Sequence, residues 1–197
     1  MGHGLLFVCH ANVCRSPMAE YLAREMLAQA LGGDGASVPV SSAGTHAVPG
    51  HAMHPHAAQL AAERAIDIRG FRSRPITPED LVNAGIVLTA TREQRSACVA
   101  MAPSVIRRTF TLRQFSRLVT AAVERGWRVA DADQPPPARI SALVTAAGRA
   151  RALVQPVRAS EDDLPDPIGQ PLAQFRRCAR DIEAALTPII GAIAGSG

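Results

Sequence analysis

Cysteine, arginine and serine crowd into one short stretch, "CHANVCRS" from Cys9 to Ser16, of a 197-residue chain that has four cysteines and no lysine. A cysteine thiolate is a strong nucleophile. An arginine fork donates two parallel hydrogen bonds to the oxygens of a phosphate. A serine hydroxyl seven residues after Cys9 could donate to its sulfur. Nucleophile, charge clamp and hydroxyl within eight residues suit attack by sulfur on phosphorus, with the developing charge held by the guanidinium and by backbone N–H groups.

Such chemistry needs a scaffold that turns successive N–H groups toward one point. The neighbouring residues supply it. "LLFVC" (Leu5 to Cys9) is a continuous apolar run, expected of a buried parallel strand. "SPMAEYLAREMLAQAL" (Ser16 to Leu31) reads as a helix with an early proline, stopped by Gly32 and Gly33. The loop between them therefore ends at a helix N-terminus, where backbone donors and the helix dipole favour an anion and the thiolate form of Cys9.

The remaining pattern predicts how that loop is supported. "VPVSSAG", "GIVLTA" and "VIRRTFTL" read as three further strands. Helices are expected in "HPHAAQLAAERAID", "TPEDLVNA", "TREQRSACVAMA" and "LRQFSRLVTAAVERGW", and from Leu172 to about Ile193. From Arg128 to Leu164 the signal weakens: "DADQPPPAR" predicts a loop, and "ISALVTAAGRARALV" one helix or two. Strands alternating with helices imply βαβ units and a mainly parallel sheet. The expectation is one α/β domain over 1–197, a three-layer sandwich around a four-stranded parallel sheet, with an extra segment at about 128–164.

Composition narrows the class. A chain that is 47% hydrophobic can bury an ordinary core, and no apolar run reaches the roughly 18 residues that span a bilayer. The N-terminal residues lack a secretory pattern, so a cytoplasmic location and reduced thiols are expected. The net charge is +4, but the arginines are scattered and aromatics are few. This argues against nucleic acid and for electrostatic capture of an anionic substrate. Homo-oligomerisation stays open.

Cys-x5-Arg-Ser is the signature of cysteine-dependent phosphatases. With "VCHANVCRSPMAE" near the start, "SSAGT" at Ser41–Thr45 and "DLPDPIGQP" late in the chain, the sequence resembles the low-molecular-weight protein tyrosine phosphatase family. The resemblance implies a phosphatase-I-like fold, no cofactor and no metal. It also implies a phosphorylated protein or small phosphomonoester as substrate, with protein phosphotyrosine expected. Cys9 would be the nucleophile forming a phosphocysteine, Arg15 would bind phosphoryl oxygens, and Asp166 would be the general acid. His10, Ala11, Asn12, Val13, Cys14 and Ser16 would complete the phosphate-binding loop, with Ser16 stabilising the thiolate. Ser42 would hydrogen-bond Asn12 from behind.

Other residues have simpler readings. Asp162 and Asp163 compete with Asp166, but the Asp-Pro pair before the last helix favours Asp166. Cys14 is a small structural residue or, as in the family, a reversible disulfide partner of Cys9; Cys98 and Cys178 read as core. His46, His51, His54 and His56 lie in a proline-glycine loop at spacings that fit no zinc site. Val13 is apolar, as in tyrosine-directed relatives, whereas arginine-phosphate-directed ones tend to have threonine there. The positions where tyrosine-specific relatives carry aromatics read "DPIGQP" and "HAVPGHAMH" here; an aryl pocket would need Trp127 brought in by the extra segment. The alternatives are an arsenate reductase using the same loop and a phosphate- or phosphoprotein-binding module without turnover.

Overall fold

The computed structural model describes residues 4–127 and 133–195. Four strands form one parallel sheet in the order β2-β1-β3-β4: β1 (Leu5–Cys9), β2 (Val40–Gly44), β3 (Ile86–Thr89) and β4 (Thr109–Thr111). β1 pairs with β2, Cys9 opposite Gly44, and with β3, Val8 opposite Thr89. After β1 the chain moves to one edge to lay down β2 and then to the other side for β3 and β4. The carboxyl end of β1 is thus the switch point where open α/β sheets bind ligands.

All five residues of β1 are buried because both faces of the sheet are covered. The two-residue period of a strand sends them to opposite layers. Leu5, Phe7 and Cys9 enter the larger core with α1 (Arg15–Leu31), α5 (Leu112–Glu124) and α8 (Leu172–Ala194). Leu6 and Val8 enter a smaller core with Leu81 of α3 (Pro78–Asn83) and Cys98 of α4 (Arg92–Met101). The nucleophile candidate therefore emerges on the α1 side of the sheet. Arg24 of α1 donates to the Val40 carbonyl at 2.7 Å and pairs with the buried Glu20 at 2.6 Å, tying the helix to the edge strand.

Three elements depart from expectation. β4 is only three residues long, because Pro103–Arg108 winds into a 3-10 turn and the Thr111 side chain caps α5 by accepting from the Gln114 N–H. The helix α2 (Pro55–Glu63) stops short of Asp67: Ala65 takes a φ of 57° and Ile66 N–H returns to the Ala61 carbonyl. The loop expected over "DADQPPPAR" gives way at Pro136, where a proline at the first helical position opens α6 (Pro136–Ala150). The expectation for residues 128–132 lies outside the described residues.

The extra segment is part of the main core. Ile140, Leu143, Ala146, Ala147 and Ala150 of α6 are buried with Phe115 of α5 and Ile182 of α8, and Arg151 lies over the Phe110 ring, 4.7 Å from its centroid. Trp127 packs against the same core rather than being carried across to the phosphate-binding loop. If α6 belongs to the cooperative unit, Leu143→Ala should lower the unfolding free energy by about 2–5 kcal/mol in urea denaturation, with a single transition. A separate, earlier transition would show instead that α6 melts on its own.

Candidate active site

Asn12 organises the loop between β1 and α1. It is fully buried, with a φ of 54°, a left-handed conformation that asparagine tolerates better than most residues. Its Nδ2 donates to Ser16 Oγ and to Ser42 Oγ, both at 2.9 Å, and its Oδ1 accepts from the Arg74 N–H at 3.0 Å. Its backbone N–H points at Cys9 Sγ, 3.3 Å away. Every polar atom of the side chain is thus satisfied inside the protein, which holds the turn in one conformation. Ala11 is not among the positive-φ residues, so its methyl group carries no left-handed strain.

The sulfur has a second donor. Ser16 Oγ lies 3.0 Å from Cys9 Sγ and 3.2 Å from the Ala43 carbonyl. A hydroxyl has one proton to give. While Cys9 is a thiol, the Ser16 proton can serve Ala43. Once Cys9 is a thiolate, the same proton is free to turn to sulfur. The N–H groups of Ala11, Val13 and Cys14 donate to no protein acceptor among the described residues, leaving unused donors beside that sulfur.

"SSAGT" supports the loop from below. Ser42 holds Asn12, Ala43 offers its carbonyl to Ser16, and the Thr45 and His46 N–H groups donate to the carbonyls of Cys9 and His10 at 2.9 and 2.8 Å. Gly44 is required by close approach: a Cβ there would stand 2.6 Å from the His10 oxygen and 2.9 Å from the Asn12 nitrogen. The His10 ring is exposed and stacked on His46 at 4.5 Å, and the Val13 carbonyl accepts from the His54 N–H at 2.9 Å.

Arg15, the first residue of α1, is buried, and its guanidinium crosses to the far segment of the chain. Nη1 donates to the Leu164 carbonyl at 3.1 Å and Nη2 pairs with Asp166. Its Nε is buried without a hydrogen-bond partner among the described residues. Asp166 is partly exposed and its other oxygen accepts from the Ile168 N–H at 3.1 Å, an Asx turn that fixes the carboxylate. The competing acids have different tasks. Asp162, at the end of the short helix α7 (Ala159–Asp162), is buried between Arg92 and Arg117, and Asp163 accepts from the Arg92 N–H at 2.8 Å. With Leu164 N–H on the Ala90 carbonyl, they anchor the strand-end segment that carries Asp166.

The other thiols are silent. Burial is the main cause pushing Cys14, Cys98 and Cys178 each up to about 12, and Cys14 also faces the charge of Asp166. The histidines form no metal cluster among the described residues. Sequence reasoning missed that His54 is structural: it caps α2 by accepting from the His56 N–H and stacks on Phe175 of α8 at 4.6 Å, with burial holding its pKa below the usual value. The proline after it, at the first position of α2, was the available signal.

Two outcomes follow for the loop and its thiols. Asn12→Ala should cost about 2–4 kcal/mol of stability, from orphaned buried partners plus left-handed strain, and Asn12→Gly less by about 1 kcal/mol. Thermal or urea unfolding measures both. Folded protein treated with iodoacetamide at pH 7.5 should leave Cys14, Cys98 and Cys178 unmodified, since thiols near 12 hold almost no thiolate there, whereas unfolded protein should label all four cysteines. Peptide mapping reads the difference.

Comparison with known proteins agrees with this geometry. Residues 4–133 match the family model described as low molecular weight phosphotyrosine protein phosphatase. The low molecular weight protein-tyrosine-phosphatase Etp of Escherichia coli K12 is 32% identical over 113 residues, 57% of this chain and 71% of the relative. A protein-arginine-phosphatase of Bacillus subtilis 168 is likewise 32% identical over 111 residues, 56% of this chain and 71% of the relative. Among solved structures, a low molecular weight protein tyrosine phosphatase from T. tengcongensis has a TM-score of 0.66 at 25% identity, covering 96% of this chain and 98% of the other. The arginine phosphatase YwlE from Geobacillus stearothermophilus gives 0.66 at 25%, covering 98% and 94%. The matched residues include the whole loop from Cys9 to Ser16 and its "SSAGT" support, and this chain belongs to the low molecular weight phosphotyrosine protein phosphatase family.

Proposed function

We propose that this protein is a cysteine-dependent phosphatase that hydrolyses phosphomonoesters, protein phosphotyrosine above all, through a phosphocysteine intermediate. The observation that carries the reading is the Nε of Arg15, a buried charged donor with no partner among the described residues, in a guanidinium that otherwise reaches both Leu164 and Asp166. The Nε atoms of Arg108 and Arg117 are also buried without a partner among the described residues, but that of Arg15 belongs to the residue directly after the loop whose Ala11, Val13 and Cys14 N–H groups are likewise unused. A phosphoryl oxygen is the acceptor that Nε and the free N–H groups of the loop require.

The steps follow from the side chains. The phosphate displaces the Asp166 carboxylate from Arg15 and takes its place in the loop, and Asp166, no longer paired, takes up a proton from solvent. The Cys9 thiolate, held by the Asn12 N–H and the Ser16 hydroxyl, attacks phosphorus in line. The sulfur–phosphorus bond forms as the phosphorus–oxygen bond to the leaving group breaks, and protonated Asp166 gives that oxygen its proton. The resulting Asp166 carboxylate then takes a proton from water, whose oxygen attacks phosphorus and returns the thiolate and inorganic phosphate. Arg15 and the loop donors stabilise the charge on the equatorial oxygens in both steps.

Val13 and the apolar Ile168, two residues after Asp166 and 47% exposed, support an aryl ester over a phosphoguanidine, with an aliphatic wall where aromatics were sought. A nucleophilic thiol works only while reduced, which favours the cytoplasm. The burial of α6 with the main core supports a single domain over 1–197. The arsenate-reductase alternative needs a second reactive thiol. Cys98 lies in the core on the opposite face of the sheet, and Cys178 is held up by burial.

Hydrolysis of an aryl phosphate by the wild type, Cys9→Ser and Asp166→Ala tests the mechanism. Cys9→Ser should be inactive, and Asp166→Ala should lose about 10²–10⁴-fold, most with poor leaving groups. Full activity in Cys9→Ser would refute covalent catalysis. Tight vanadate binding with no hydrolysis by the wild type would identify a binding module instead.

A further inference from the structure

A concave pocket of about 270 Å³ opens beside Asp166, between the turn that carries it and the first turns of α8. Its polar lining comes from Asp166, Gln170, Gln174, Arg177 and Asp181. At this size it lies below the roughly 300–1,000 Å³ of pockets that enclose a whole small-molecule ligand, which suits it to a side chain or two.

The charges lining it are unequally committed. Asp166 is paired with Arg15, and Asp181 with Arg113 at 2.7 Å. Arg176, next in sequence to Arg177, is taken by Glu63 at 2.7 Å on another face of the helix. Arg177 is exposed and has neither a carboxylate nor a hydrogen-bond partner among the described residues, and the same holds for Arg180, one turn further along α8. Asp181 is thus neutralised by Arg113, and Asp166, paired with Arg15 at rest, acts in its protonated form once phosphate has taken that guanidinium, which leaves Arg177 as a lining cation with no partner among the described residues. The Gln170 and Gln174 side-chain amides add donors with no acceptor among the described residues. Gln170 is brought there by the turn at Gly169, whose φ is 74° and which closes with the Gln170 N–H on the Pro167 carbonyl at 2.9 Å.

We propose that this pocket is a specificity subsite for an acidic residue flanking the phosphorylated residue of a protein substrate, its carboxylate bound by Arg177 with donors from Gln170 and Gln174. This rests on the phosphatase reading above. The pocket shares Asp166 with the reaction, so the side chains next to the leaving oxygen are the ones that reach it. An extended chain advances about 3.3 Å per residue, which keeps only the immediate neighbours within range. Positive charge that is not needed for the phosphate also speeds encounter with an acidic segment, and less so as salt rises.

Two phosphotyrosine peptides, identical except for aspartate or alanine beside the phosphotyrosine, test the subsite. kcat/KM would be compared for the wild type, Arg177→Glu and, as a charge-matched control, Arg107→Glu in the 3-10 turn before β4. The wild type should prefer the acidic peptide about fivefold, the upper end for an exposed ion pair. Arg177→Glu should abolish or invert that preference, Arg107→Glu should keep it, and 0.5 M salt should shrink it. Each preference is a ratio of two peptides within one variant, so any change in the chemical step itself cancels, which separates this test from that of Cys9. An equal preference in the wild type and Arg177→Glu would overturn the proposal. So would the same shift in Arg107→Glu, the absence of preference in the wild type, or failure to hydrolyse either peptide.

Discussion

The left-handed turn at Asn12 is the constraint on which the site depends. Its positive φ brings the Asn12 N–H back over the sulfur of Cys9, three residues earlier, at the end of a strand that would otherwise run straight on. A left-handed residue is costly unless its surroundings over-determine it. Here the side-chain amide does so by joining Ser16, Ser42 and the Arg74 backbone, which come from the helix, the neighbouring strand and a distant loop. The web that fixes the turn also fixes Ser16, whose single proton can follow the charge on sulfur. Holding the backbone and tuning the nucleophile are therefore one arrangement.

The second half of the site comes from the far end of the chain. Arg15 links the loop to Leu164 and Asp166, and the segment bearing them is held by Asp162 between two arginines, Asp163 on the start of α4, and Leu164 on the carbonyl of Ala90 after β3. Asp162 is buried, and leaving it with one cation fewer would strand a charge in a poor solvent for it, so this anchor is stiff. Asp166 is thereby brought to the switch point of the sheet, beside the loop after β1. There Arg15 and Asp166 form an ion pair that joins the two halves of the site.

α6 broadens the core. Its apolar side chains are buried with those of α5 and α8 in the larger core. The departure with consequences lies at the mouth of the site. The exposed Ile168 and a polar pocket flank Asp166, with no aromatic side chain in the lining of that pocket.

The local sequence determined the loop, because its chemistry is local. Cys9, Arg15 and Ser16 fall within one strand–turn–helix unit, and residue type and spacing alone bring nucleophile, clamp and hydroxyl together. The parallel sheet was legible for a similar reason: buried strands and amphipathic helices carry distinct periods. The end of α2 at Ala65, the 3-10 turn at Pro103 and the start of α6 were not, since each is decided by a single backbone conformation that many sequences accommodate. The Asp-Pro pair already favoured Asp166, but only the tertiary structure decided that its carboxylate pairs with Arg15, that His54 packs on Phe175, that Trp127 stays with the core, and that Arg177 lines a pocket with no partner among the described residues. These depend on contacts between residues up to about 150 positions apart, such as Arg15 with Asp166, and no local pattern records which distant group will neutralise a charge.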